Sequence, residues 1–61
     1  MKKKIIHLYT EKDGRAVINR NAKETATLDS ILDIAEKEFF SGFADYVRVT
    51  VNGEIYAELE R

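Results

Sequence analysis

The sequence predicts an α+β domain of order ββαββ, in which one helix packs across one face of a four-stranded sheet made of two β-hairpins. Two turn signals, Asp13-Gly14 and Asn52-Gly53, each separate two extended runs that are rich in apolar residues. Between these hairpins, one stretch shows the apolar spacing of an amphipathic helix. A chain of 61 residues has the length of one small domain, so we treat residues 1–61 as a single domain.

The first hairpin is expected to combine a strand at about residues 3–10 with a return strand at about residues 15–20. Asp-Gly suits the connection because a two-residue type I′ turn needs positive φ at both central positions. Residues 21–26 are mostly polar and show no periodicity, which predicts a crossover loop.

The helix is expected at about residues 28–41. Its apolar residues recur at i, i+3, i+4, i+7 and i+11 and predict one buried stripe: Leu28, Ile31, Leu32, Ala35 and Phe39. Thr27 is the expected N-cap, and Gly42 occupies the position after the C-cap, where a left-handed conformation is common. Phe43 is then expected to pack back on the last turn of the helix.

The second hairpin is expected to pair strands at about residues 45–51 and 54–60. Alternation predicts that the helix-facing residues of these strands are Val47, Val49, Val51, Ile55, Ala57 and Leu59. The intervening residues are mostly polar or aromatic and are expected on the opposite face.

The order and size of these elements resemble the immunoglobulin-binding domains of protein G and, more broadly, the β-grasp group. The resemblance covers the whole chain and rests on two hairpins, at Asp13-Gly14 and Asn52-Gly53, that flank one helix; it includes no shared functional motif. It implies the strand order 2-1-4-3, with strands 1 and 4 parallel at the centre. A simple meander order remains open.

The composition argues against catalysis. The chain has one histidine and no cysteine, and a turn or a cap accounts for each of its three glycines. We therefore expect no enzymatic activity, no cofactor and no metal site, and we interpret Asp29, Asp33 and Glu36 as a solvated helix face. No apolar run is long enough for a membrane span or a secretory signal, so we expect a cytoplasmic protein without a membrane partner.

The candidate binding residues lie on the sheet face that points away from the helix. They are His7, Tyr9, Tyr46, Arg48 and Tyr56. Tyr and Arg are enriched among residues that dominate binding energies. Aromatic pairs on adjacent strands also stabilise an exposed sheet without any ligand, so stabilisation alone is the competing interpretation.

Our leading hypothesis is a small non-catalytic protein-binding module, of adaptor or inhibitor type, that acts through its sheet face or an edge strand. A second hypothesis is a nucleic-acid-binding domain whose cations surround the tyrosines: Lys2, Lys3, Lys4, Arg15, Arg20 and Arg48. A sequence pI of about 5.7 and an acidic last strand count against it. Two further hypotheses are a homodimeric structural domain and a scaffold without a specific ligand.

Overall fold

The computed structural model describes residues 4–61 and confirms the ββαββ order. Its elements are β1 (Ile6–Lys12), β2 (Arg15–Asn21), α1 (Leu28–Phe40), β3 (Tyr46–Val51) and β4 (Glu54–Glu60). The expected start of the first strand at Lys3 lies outside the described residues. At its other end the strand continues past Thr10 to Lys12, because Asp13 and Gly14 alone form the turn.

Both predicted hairpin turns have the backbone conformation that their sequences favour. Asp13 and Gly14 have φ of 53° and 79°, and Asn52 and Gly53 have φ of 53° and 84°. Asp and Asn tolerate the left-handed region better than other non-glycine residues, so each turn needs only one glycine.

The strand order is β2-β1-β3-β4, and every neighbouring pair is antiparallel. The order 2-1-4-3, with a parallel central pair, is therefore wrong, because β3 and not β4 lies beside β1. The order is not a meander either, since β2 and β3 lie on opposite sides of β1. Because β2 and β3 are both antiparallel to β1, they run in the same direction and α1 connects them across β1. The arrangement is a split β-α-β unit with β4 added at one edge.

The apolar pattern explains why β3 takes the central position. Its Val47 and Val49 are 2% and 1% exposed, whereas the helix-side residues of β4, Ala57 and Leu59, are only partly buried. The more continuously apolar strand of the hairpin gains more by lying under the helix.

The core lies between α1 and the two central strands, and α1 contacts β1 and β3 far more than the edge strands. The buried apolar side chains are Ile6, Leu8, Ile31, Ala35, Phe39, Ala44, Val47 and Val49. Leu28 and Leu32 of the predicted stripe are only partly buried. Within residues 4–61, no helix combines the length and apolarity needed to cross a membrane.

The two ends of α1 are capped, with one departure from expectation. The Thr27 side chain accepts a hydrogen bond from the Ser30 N–H at 3.2 Å, as predicted for the N-cap. At the other end Gly42 has a φ of 88°, as expected. Phe43 is 66% exposed, which shows that it does not pack back on the last turn of the helix as expected. The next residue, Ala44, is fully buried instead, and its N–H donates to the Glu38 carbonyl at 3.0 Å.

A β-bulge interrupts each edge strand. Thr10 pairs with Ile18 and the next residue pairs with Ala16, so Val17 is the extra residue of β2. In β4, Val49 pairs with Ala57 and Thr50 with Ile55, so Tyr56 is extra. This second bulge corrects the expectation that Ile55 faces the helix. Ile55 pairs with Thr50 on the opposite face and is 59% exposed.

Candidate functional site on the outer sheet face

The sheet face opposite α1, here called the outer face, is not covered by any other element of the described chain. The register between strands brings its side chains into rows. One row crosses the sheet as Asn19, Tyr9, Arg48 and Glu58. Further rows are Ala16, Glu11, Tyr46 and Glu60 at one end, and Asn21, His7, Thr50 and Ile55 at the other.

Tyr9, Tyr46 and Arg48 form a compact cluster, here called the tyrosine–arginine cluster. The two tyrosine rings meet edge to face, with centroids 6.1 Å apart and an interplanar angle of 66°. The Arg48 guanidinium carbon lies 5.0 Å from the Tyr9 centroid and 6.0 Å from the Tyr46 centroid. Both distances are within the range of cation–π attraction. The cluster depends on the β1–β3 pairing, because that pairing places Tyr9 directly opposite Arg48.

Two carboxylates fix the tyrosine hydroxyls. Tyr9 donates to Glu11 at 2.5 Å, and Tyr46 donates to Glu58 across the β3–β4 pair. The hydrogen bond to Glu11 raises the pKa of Tyr9 above its ordinary value of 10.0, and the bond to Glu58 does the same for Tyr46. Partial desolvation adds to both shifts, and the charge of Arg48 opposes them. Both rings are therefore held in one orientation as neutral phenols at physiological pH.

Arg48 has unused hydrogen-bonding capacity. Its Nε atom is shielded from solvent and has no hydrogen-bond partner among residues 4–61. Glu58 stands opposite Arg48 in the register but accepts its hydrogen bond from Tyr46. The guanidinium is thus held by ring faces more than by direct ion pairing.

His7 lies in the row beside the cluster and is bracketed by two asparagines of β2. Its Nδ1 is 2.7 Å from the Asn21 Oδ1, and its Nε2 is 2.7 Å from the Asn19 Oδ1. A neutral ring donates from only one nitrogen, so one asparagine must then present its amide N–H₂. These contacts immobilise the imidazole and give this end of the outer face an amide-rich surface.

Tyr56 does not join the other candidate residues. As the extra residue of the β4 bulge it is 59% exposed, and it contributes to the wall of a groove between α1 and β4. The expected order 2-1-4-3 would have placed the strand of Tyr56 beside the strand of Tyr9, but β1 and β4 are not neighbours. The structure therefore brings together Tyr9, Tyr46 and Arg48, with His7 adjacent and Tyr56 apart.

Sequence reasoning did not single out the polar partners of the cluster. Glu11 lies two residues after Tyr9, so alternation alone places both on one face and was a usable signal. Glu58, Asn19 and Asn21 become neighbours only through the strand order and register.

Asp45, outside the cluster, also has a structural role that the sequence analysis did not identify. Its carboxylate accepts from the Asp13 N–H and from the Lys12 ammonium, both at 3.2 Å, and lies 3.9 Å from the Arg61 Nε. These interactions, the backbone bond from Asp13 above all, lower the pKa of Asp45 below 3.8. Asp45 thereby ties the first turn to the start of β3 and the end of β4.

The charges on the outer face are mainly negative around the cluster. In the rows that the structure describes there, Glu11, Glu58 and Glu60 lie near one cation, Arg48. Among the described residues, no group of three or more His, Asp or Glu side chains is arranged to hold a metal ion. The surface can offer ring faces, amides and carboxylates to a partner.

No protein-family model, no curated protein and no solved structure matches this chain.

Proposed function

We propose that this chain is a non-catalytic protein-binding module whose contact surface is the outer sheet face, centred on the tyrosine–arginine cluster. The observation that supports this most is the prior ordering of Tyr9, Tyr46 and Arg48 by ring contacts and by two tyrosine–glutamate hydrogen bonds. Side chains that are already ordered lose little conformational freedom on binding, which increases the affinity that a given contact area provides.

The charge distribution favours a protein over a nucleic acid. Three carboxylates, Glu11, Glu58 and Glu60, surround the aromatic rings on which bases would stack. These carboxylates would repel a phosphate backbone, and Arg48 is the one cation in the two rows of side chains that contain them. Arg15 and Arg20, which the nucleic-acid hypothesis includes among its cations, lie on the edge strand β2. Lys2 and Lys3 lie outside the described residues.

The same charges disfavour a homodimer built face to face. Two copies of the outer face would bring two sets of three carboxylates against each other, and within the described rows that hold them each set has only Arg48 to offset it. A partner that carries Lys, Arg or backbone N–H donors against this face is the better electrostatic complement.

The experiment compares three single variants in quantitative partner capture from cell extract, with amide spectra confirming that each is folded. Tyr9→Ala and Arg48→Ala remove parts of the cluster, and we expect at least tenfold weaker capture, about 1.4 kcal/mol or more. Tyr56→Ala is the matched control, because it removes an equally aromatic but exposed tyrosine that lies outside the cluster. Equal losses in all three variants, or full capture by the cluster variants, would contradict the proposal.

A further inference from the structure

No other strand or helix of residues 4–61 covers either edge of the sheet, and the two edges differ in charge. β2 carries Arg15 and Arg20 and no acidic residue, whereas β4 carries Glu54, Glu58 and Glu60 and no basic residue. Alternate N–H and C=O groups of an edge strand point away from the sheet and can pair with another strand. The two edges are about 14 Å apart, three strand spacings, so they cannot pair within one copy of an open sheet.

The charges select one kind of edge pairing. Pairing β4 with β4 brings two acidic strands together, and pairing β2 with β2 brings two basic strands together; like charges directly opposite each other destabilise a strand pair. Pairing β4 with the β2 of a second copy instead brings a strand of net negative charge beside a strand of net positive charge. A second copy of this chain therefore supplies the complement that each edge lacks.

Strand directions fit the same arrangement. β1 is antiparallel to β2 and β3, and β4 is antiparallel to β3, so β4 and β2 run in opposite directions. A second copy displaced sideways, without rotation, presents its β2 antiparallel to β4. The result is a continuous antiparallel sheet with both helices on the same face.

The register that continues straight through the sheet also matches side chains. It sets Leu59 of β4 opposite Ile18 of the second copy, Glu58 opposite Asn19, and Ala57 opposite Arg20. Ile18 and Leu59 are both half-buried residues at the margins of the core, so pairing covers the remainder of each.

The groove beside β4 accommodates the basic residue. It has a volume of about 350 Å³, and its walls include Leu32, Ala57 and Leu59, with Glu36 of α1 at its rim. In the straight-through register Arg20 of the second copy faces this groove, where Glu36 can receive its guanidinium.

We propose that the chain self-associates head to tail, with β4 of one copy pairing with β2 of the next and Arg20 meeting Glu36. The contact is heterologous, and a displacement without rotation does not close on itself, so it produces open chains of copies. The bulges at Val17 and Tyr56 restrict uninterrupted pairing to about three residues on each strand. The association is therefore weak, reversible and dependent on concentration.

Sedimentation analysis over an approximately hundredfold range of concentration tests the proposal on the intact chain. The wild type is expected to increase in average mass as concentration rises. Arg20→Glu and Glu36→Arg each reverse one exposed charge and are expected to weaken association about tenfold. The double variant restores opposite charges across the contact and is expected to associate within about threefold of wild type.

Three results would overturn the proposal: a wild type that stays monomeric throughout, single variants that associate like wild type, or a double variant that stays as weak as the single ones. Tyr9→Ala is expected to associate normally, because Tyr9 lies on the outer face and not at an edge. Loss of association in that variant would assign self-association to the outer face instead. A negative result at the edges leaves the partner-capture test of the outer face unaffected.

Discussion

Thr10 is the one polar side chain among the fully buried residues described, and its replacement by Val probes the β2 bulge directly. Thr10 is 0% exposed, and its Oγ1 accepts a hydrogen bond from the Ile18 N–H at 3.1 Å. The hydroxyl thus satisfies a backbone N–H at the point where the bulge shifts the register between β1 and β2. Val has nearly the same shape but offers no acceptor, so Thr10→Val leaves this N–H without its partner.

The expected cost follows from that lost bond. Leaving a buried donor unsatisfied costs about 1–3 kcal/mol, and the partial burial of Ile18 places the loss near the lower end, about 1 kcal/mol. A chain of this length has a total stability of about 3–9 kcal/mol, so the loss is a substantial part of it. In a domain this small, 1 kcal/mol lowers Tm by about 4–8 °C.

Thermal unfolding and amide hydrogen exchange together measure this effect. Thr10→Ser is the matched control, because it retains the hydroxyl and removes only the methyl group. We expect fast exchange of the Ile18 amide in Thr10→Val and near wild-type protection in Thr10→Ser. A Val variant that melts at or above the wild-type temperature, with the Ile18 amide still protected, would show that the hydroxyl does not stabilise the bulge.

Three further predictions follow from the structure. The pKa of Asp45 is lowered, so its contribution to stability is present above about pH 3.8 and is lost as pH falls through the lowered value. In urea unfolding measured at a series of pH values, Asp45→Asn should therefore reduce the loss of stability at acidic pH. An unchanged acid dependence in this variant would count against the role of Asp45. The pKa of Tyr9 is raised, so the stability of the fold should decrease as pH rises above about 10, where the tyrosine of the unfolded chain ionises first. In Glu11→Gln, residue-resolved NMR titration should show that Tyr9 ionises at lower pH than in the wild type. An unchanged titration would be inconsistent with the hydrogen bond between Tyr9 and Glu11. Ile55→Ala should change the free energy of unfolding by less than about 0.5 kcal/mol because Ile55 is exposed, whereas Val47→Ala should lower it by about 2 kcal/mol. If denaturant unfolding shows equal losses for the two variants, Ile55 is a core residue and the assigned bulge is wrong.

The elements themselves were predictable because each has a local cause. The Asn52-Gly53 turn needs positive φ at two successive positions, and few other residue pairs provide it. The helix is determined by its apolar period and by the Thr27 cap, and both operate within a few residues of chain. These signals do not depend on the rest of the fold.

The strand order was not predictable because it depends on a comparison between two strands of one hairpin. Both β3 and β4 alternate, and the sequence does not show the bulge at Tyr56 that displaces Ile55 from the helix side. That bulge leaves β4 with only Ala57 and Leu59 against the core, while β3 keeps Val47 and Val49 fully covered. A resemblance in element order therefore led to the wrong neighbour for β1.

The sequence indicated only part of the candidate site, because alternation is a local signal whereas the contacts between strands depend on strand order and register. Assigning Tyr9, Tyr46 and Arg48 to the outer face required only alternation, and that assignment agrees with the register. Their mutual contact required β3 to lie beside β1, and the separation of Tyr56 required β4 to lie at the edge. The carboxylate partners on β4 depend on the register for the same reason.

The pairing of β1 with β3 is the premise of the proposed site, and nuclear Overhauser contacts between backbone protons test it most directly. We expect antiparallel cross-strand contacts between residues around Tyr9 and Arg48, and between Ile6 and Val51, with none between β1 and β4. Contacts between β1 and β4 in a parallel register would contradict this pairing. They would separate Tyr9 from Arg48 and Tyr46 and remove the tyrosine–arginine cluster on which the proposed function rests.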